Sequence, residues 1–209
     1  KNTDNLLPLK KKGRIALIGP MADARNNMCG MWSMTCTPSR HGTLLEGVRS
    51  AVGDEAEILY AKGSNICYDA EQEKAATGLR SLERGDNSQL LSEALQTAAR
   101  VDVILAALGE CAEMSGESAS RTNPMIPDAQ RDLLEALVAT GKPVVLLLFT
   151  GRPLILNWED AHVHSILNVW FGGSETGDAV ADVLFGKKSP CGKLTTTFPR
   201  SVGQLPLYY

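Results

Sequence analysis

Three glutamates and an arginine crowd one short stretch of this sequence, Gly109-Glu110-Cys111-Ala112-Glu113-Met114-Ser115-Gly116-Glu117-Ser118-Ala119-Ser120-Arg121. A carboxyl group in a crevice can serve as general acid or base, with its proton affinity set by burial and neighbouring charge. The same composition also suits a solvated acidic loop. Position argues for chemistry. The apolar run from Val101 to Leu108 precedes the stretch and reads as a buried strand, and Pro127-Asp128-Ala129-Gln130 after it opens a helix. The stretch is therefore the loop leaving the carboxyl end of a central strand. In open α/β sheets ligands gather at that edge, where strand order reverses.

Other residues able to do chemistry are more scattered. Trp32 lies in a long irregular segment between strand one and His41, where it can stack on a sugar ring or simply pack. A loop of that length in a compact domain is usually functional or a docking surface. Ser174, in Gly172-Gly173-Ser174-Glu175-Thr176-Gly177, only loosely resembles a nucleophile elbow, because Thr176 stands where the second glycine is required. It reads better as a helix N-cap. His162 and His164 read as a surface pair, with no cysteine or carboxylate at metal-ligand spacing. His41 carries no assignment. The turn Gly19-Pro20-Met21-Ala22-Asp23 has neither a dinucleotide fingerprint nor a P-loop lysine.

The elements that must position these groups alternate. Strands are expected at Arg14–Ile18, Ala56–Tyr60, Val101–Leu108, Pro143–Phe149 and Ser165–Trp170, with an edge strand at Lys193–Pro199. Helices are expected from Leu44, behind the capping box Thr43-Leu44-Leu45-Glu46, and from Asn87. Two more run from Pro127 to Gly141 and from Ser174 to Phe185. The polar stretch from Lys62 to Asn87 reads as surface. This alternation predicts one α/β domain, doubly wound around a mainly parallel six-stranded sheet with helices on both faces.

Composition excludes several classes. A net charge of −3 over 209 residues, without a basic stripe, leaves no footprint for nucleic acid. No apolar run reaches the ~18 residues that would cross a bilayer, and Lys1-Asn2-Thr3-Asp4-Asn5 is not a signal peptide. Residues 1–12 read as a linker-like start, so the chain is expected to be a piece of something longer. The five cysteines, an odd number without a C-x-x-C pair, suit neither a disulfide scaffold nor a zinc site. Most are expected as buried thiols, although Cys29 and Cys36 are near enough to pair under oxidising conditions.

Several ordered motifs carry a family resemblance. They are Tyr60-Ala61-Lys62-Gly63-Ser64-Asn65, Ser115-Gly116-Glu117 through Arg121, Gly141-Lys142-Pro143 with Gly151-Arg152-Pro153, Phe171 through Gly177, and Gly192-Lys193-Leu194 with Phe198-Pro199-Arg200-Ser201-Val202-Gly203-Gln204. Together they resemble family 3 glycoside hydrolases, most nearly the periplasmic-type bacterial β-glucosidases, over nearly the whole chain. The resemblance implies that residues 13–209 are the C-terminal α/β sandwich domain of a retaining enzyme. The nucleophile would then be an aspartate on an N-terminal (β/α)8 barrel of the same polypeptide. It implies Glu117 as the acid/base, a β-glucoside or glucan oligosaccharide as substrate, a periplasmic or secreted location, and no cofactor or metal. Glu110 and Glu113 do not match the acid/base position and read as structural or solvated. Arg121 would orient the loop or bind sugar hydroxyls, and Trp32 would contact substrate. The isolated chain would be inactive, holding only one of two carboxyl groups. Cys191 departs from the usual serine or alanine, and Met31–Arg40 departs from the usual glycine-bearing loop. The alternatives are a non-catalytic sugar-binding or scaffolding module, or a parent enzyme acting on another β-glycoside such as a xyloside.

Overall fold

The computed structural model describes residues 1–77 and 82–208. Five strands form one sheet: β1 (Arg14–Ile18), β2 (Glu57–Ala61), β3 (Val103–Gly109), β4 (Val144–Phe149) and β5 (Ser165–Asn168). Their order is β2-β1-β3-β4-β5 and every pairing is parallel. Strands β3 and β4 are buried along their whole length, which explains their apolar runs without alternation.

Alternate residues of these strands face two separate cores. Leu17, Leu105, Ala107, Val145 and Leu147 pack under α1 (Leu44–Val52) and α6 (Thr176–Leu184). Ile18, Ile104, Ala106, Leu146 and Leu148 pack under α3 (Asn87–Ala98) and α4 (Asp128–Ala139). This is the doubly wound α/β architecture the alternation predicts. The capping box forms as expected, with Thr43 Oγ1 accepting from the Glu46 amide at 3.2 Å and Glu46 Oε2 from the Thr43 amide at 2.8 Å. Helices α1 and α6 meet at glycines, and a Cβ at Gly47 would collide with the Gly177 carbonyl.

Four expectations need correction. The sheet has five strands among the described residues, one fewer than expected, because Lys193–Thr197 is exposed and unpaired. The start of the chain occupies the outer edge of β5 instead. Asn2 bridges Ser165, the Thr3 amide donates to the His164 carbonyl at 2.8 Å, and the Ile166 amide donates to the Lys1 carbonyl at 3.0 Å. Second, the stretch from Lys62 to Asn87 is not all surface. Asn65, Ile66, Cys67, Glu73 and Thr77 are buried, and α2 (Ala70–Thr77) includes Glu73, which pairs with Arg84. Third, Asn157–His162 forms a short helix, α5, that the polar composition conceals. Fourth, Ser174 is not the cap of α6: Glu175 holds that position without a side-chain bond, and Thr176 Oγ1 donates to the Gly173 carbonyl at 2.7 Å. The expected surface pair, His162 and His164, is exposed at His162 and half-buried at His164. His162 stacks on Trp158 at 4.4 Å, and His164 Nδ1 accepts from the Val144 amide at 3.2 Å.

Residues 78–81, inside the polar stretch, lie outside the described residues. Among those described, no helix is long and apolar enough to cross a membrane.

Candidate active site

A strand order of 2-1-3-4-5 reverses between β1 and β3, so the loops leaving the carboxyl ends of those two strands flank the crevice where ligands bind in such sheets. One is the segment containing Trp32, and the other is the acidic loop. The structure joins them. Asn27 Oδ1 accepts from the Ala112 amide at 3.0 Å, and Met31 lies so close to Gly116 that a Cβ there would strike the Met31 sulfur. A glycine at 116 is thus required by the approach of its neighbour.

The acidic loop is built on a buried carboxylate. Glu110 is fully buried and its backbone continues the end of β3, the amide donating to the Phe149 carbonyl at 2.8 Å. Its Oε1 accepts from Arg121 Nη1 at 2.8 Å and lies 3.2 Å from Arg152 Nε, while Oε2 accepts from Thr150 Oγ1 at 2.9 Å. Of the two readings the sequence left for Glu110, structural or solvated, its burial and these contacts fit the first. Arg152 reaches further. Its Nη2 donates to the Ala119 carbonyl at 2.7 Å and to the Met114 carbonyl, which tethers the residues on either side of Gly116-Glu117 to one guanidinium. Gln130 secures the base of the loop, donating to the carbonyls of Gly109 and Ile66 at 2.9 and 3.0 Å and accepting from the Gly109 amide at 2.8 Å.

Glu117 stands at the tip of this framework, exposed and without a hydrogen bond or ion pair among the described residues. Ser118, next to it, adopts φ +59, a left-handed backbone that non-glycine residues rarely hold. Such outliers gather at functional sites, where the surrounding structure maintains them. Trp170, two residues past the end of β5, shares that φ of +59. Trp32 is 64% exposed on the adjoining segment. Arg121 is mostly buried and engaged with Glu110, so its contact in this structure is with the loop. A groove of about 510 Å³ opens on the Arg121 side, lined by Met114, Asn123, Asp128, Arg131 and Asp132 as well. Glu117 does not line it. A carboxyl group left this open needs a second surface to enclose a substrate.

The sequence left His41 unassigned, yet it is 6% exposed and central to the neighbouring segment. Its Nδ1 lies 3.6 Å from Cys29 Sγ and 3.5 Å from Cys36 Sγ, and its Nε2 lies 3.2 Å from Ser174 Oγ. Cys29 and Cys36 are joined in a disulfide with a Cα separation of 6.6 Å. These three side chains could cluster around a metal ion. With the sulfurs bonded to each other, however, the thiolates that metal binding needs are not available. Cys67 and Cys111 are buried free thiols, pushed by desolvation up to about 11 and about 12, and so unreactive at neutral pH. Arg152 was missed as a functional residue because its partners lie 33 to 42 positions away in sequence; the motif containing it, Gly151-Arg152-Pro153, was the available signal.

Comparison with known proteins follows the same outline. A family model described as "Glycosyl hydrolase family 3 C-terminal domain" matches residues 1–209. A periplasmic β-glucosidase of Salmonella typhimurium is 47% identical over all of this chain, which covers 28% of that protein. A β-xylosidase of Formosa agariphila is 35% identical, again over the whole chain and 27% of the relative. Among solved structures, a Listeria innocua β-glucosidase in complex with isofagomine superposes with a TM-score of 0.80 at 31% identity, matching the whole chain and 26% of that protein. The chain thus spans about a quarter of the length of these relatives.

Proposed function

The chain belongs to the family of glycosyl hydrolase family 3 C-terminal domains, and from that premise we propose that it supplies the general acid/base of a retaining β-glucosidase, with Glu117 in that role. The sandwich domain is residues 13–209, with residues 1–12 leading into it and the first of them laid along the edge of β5. A (β/α)8 barrel on the same polypeptide carries the nucleophile. Retaining hydrolysis needs two carboxyl groups about 5–5.5 Å apart across the scissile bond. The barrel aspartate attacks the anomeric carbon while Glu117 protonates the departing oxygen. Glu117 then takes a proton from the water that releases the sugar.

The observation that supports this reading most is a contrast between two carboxylates on one loop. Glu110 is buried and held by two arginines and a threonine, whereas Glu117 is exposed and unengaged on a tip tethered on both sides. The held backbone fixes where Glu117 sits, and its unengaged carboxyl group is free to meet a substrate. Arg121 and Arg152 act on Glu117 through the loop. Trp32, exposed next to Met31 on the segment that packs against Gly116, offers an apolar face to the sugar on the leaving-group side. The Salmonella relative supports a periplasmic or secreted location and a β-glucoside substrate. The Formosa relative keeps a β-xyloside as the second reading, separated by a panel of aryl glycosides.

The test is Glu117→Ala in the polypeptide that joins this chain to its barrel. Disaccharide hydrolysis should fall by about 10²–10⁴-fold. An activated aryl glucoside should lose less in its first step, and azide should restore turnover by attacking the glycosyl-enzyme. Near-normal disaccharide rates, or rescue at Glu113→Ala instead, would overturn the assignment.

A further inference from the structure

The segment between Gly30 and Thr37 has turns but no regular element, so something else must fix it beside the acidic loop. Two features do. Cys29 and Cys36 close it into a short covalent loop, and His41 lies under both sulfurs at 3.6 and 3.5 Å. His41 itself is anchored to the helical layer. Its Nε2 meets Ser174 Oγ, just before α6, and its carbonyl accepts from Arg25, which also pairs with Glu46 in the capping box of α1. The bridge therefore rests on the α1–α6 pair. From there Gly30 packs on Phe171, Met31 packs on Gly116, and Trp32 projects into solvent.

We propose that Cys29, Cys36 and His41 are positioning residues for recognition of the leaving group: the disulfide, seated on His41, holds Met31 against the Glu117 loop and keeps Trp32 beside it. The kinetic half of this statement rests on the role of Glu117 proposed above. With the bridge open, Met31 and Trp32 gain conformers that substrate binding must then order again, and that cost appears as weaker binding. An oxidising compartment keeps the bridge closed. A dithiol opens it: the S–S bond breaks, two electrons and two protons pass to Cys29 and Cys36, and the dithiol becomes a disulfide.

Two measurements test this. On the 209-residue chain, amide hydrogen exchange should quicken at least tenfold between Met31 and Thr35 in the Cys29→Ser/Cys36→Ser double variant, with a smaller rise around Gly116. In the polypeptide joined to its barrel, the double variant should raise KM for a β-linked disaccharide roughly two- to tenfold while lowering kcat less, the scale of re-ordering a side chain or two on binding. KM for an aryl glucoside with a small leaving group should move less. Reducing the wild type should reproduce the change and reoxidation should reverse it, which separates positioning from failure to fold. His41→Ala should shift KM in the same direction, with thiol titration showing the bridge still closed. Unchanged exchange in the double variant overturns the clip. Unchanged KM in the double variant, alongside a Glu117→Ala enzyme that behaves as a lost acid/base, overturns its part in recognition. If Glu117→Ala leaves hydrolysis intact, the acid/base reading and the kinetic half fail together, and the exchange result still decides the clip.

Discussion

Replacing Arg152 by alanine removes the group that joins the two sides of the acidic loop to each other and to the buried Glu110. The cost follows from the contacts. One guanidinium nitrogen donates to the carbonyls of Met114 and Ala119, and hydrogen bonds to a charged group contribute about 1.5–3 kcal/mol each. The Arg152 side chain is 23% exposed, so water replaces part of what is lost and the lower end applies. Glu110 is fully buried, but it keeps Arg121 at 2.8 Å and Thr150 at 2.9 Å, so the ~3–5 kcal/mol cost of a bare buried charge is largely avoided. The sum is about 2–4 kcal/mol. For a domain of this size, each kcal/mol corresponds to roughly 2–4 °C in Tm, and urea unfolding of the 209-residue chain reads the loss directly. Arg152→Lys keeps a charge near Glu110 but cannot span both carbonyls, so it should recover only part of the stability. Hydrogen exchange between Ala112 and Ala119 should rise in both variants. A loss below about 0.5 kcal/mol in Arg152→Ala, or unchanged exchange in the loop, would refute the tether.

Two further substitutions test the scaffold. Glu159 is buried, 3.3 Å from Arg131 Nη1 but without a hydrogen bond, and desolvation raises its pKa above the ordinary 4.5. The native state therefore binds the extra proton between 4.5 and the raised value, and stability falls as pH rises through that window. Glu159→Gln should flatten that slope and stabilise the chain at pH 7, measured as Tm against pH; Arg131 keeps Glu135 at 2.9 Å. Gly47→Ala should cost about 1–3 kcal/mol in urea unfolding, because its methyl group would meet the Gly177 backbone where α1 crosses α6. A neutral effect would mean that the helices can separate without loss.

Much of this architecture is written in local signals. The Thr43–Glu46 capping box spans three residues, and its two hydrogen bonds form wherever that turn forms. The runs of β3 and β4 are apolar because both faces are covered, so burial and parallel pairing could be read from their composition. The resemblance carried by Ser115-Gly116-Glu117 likewise singled out one glutamate among three. Contacts without a fixed spacing were beyond reach. Glu110 and Glu117 are chemically identical in the sequence, and only folding brings Arg121, Thr150 and Arg152 around the first while leaving the second bare. His41 acquired its place from Ser174, 133 residues away, and from a disulfide that spacing alone permitted but did not require. The missing sixth strand has the same origin. Lys193–Pro199 has a strand-like composition, but the edge of β5 is taken by Asn2, and a strand exists only where a neighbour offers it hydrogen bonds. The Thr43–Glu46 capping box and the apolar runs of β3 and β4 are decided within a few residues of chain. Which carboxylate is clamped, which sulfurs meet and which edge is open are decided by what the finished sheet brings side by side.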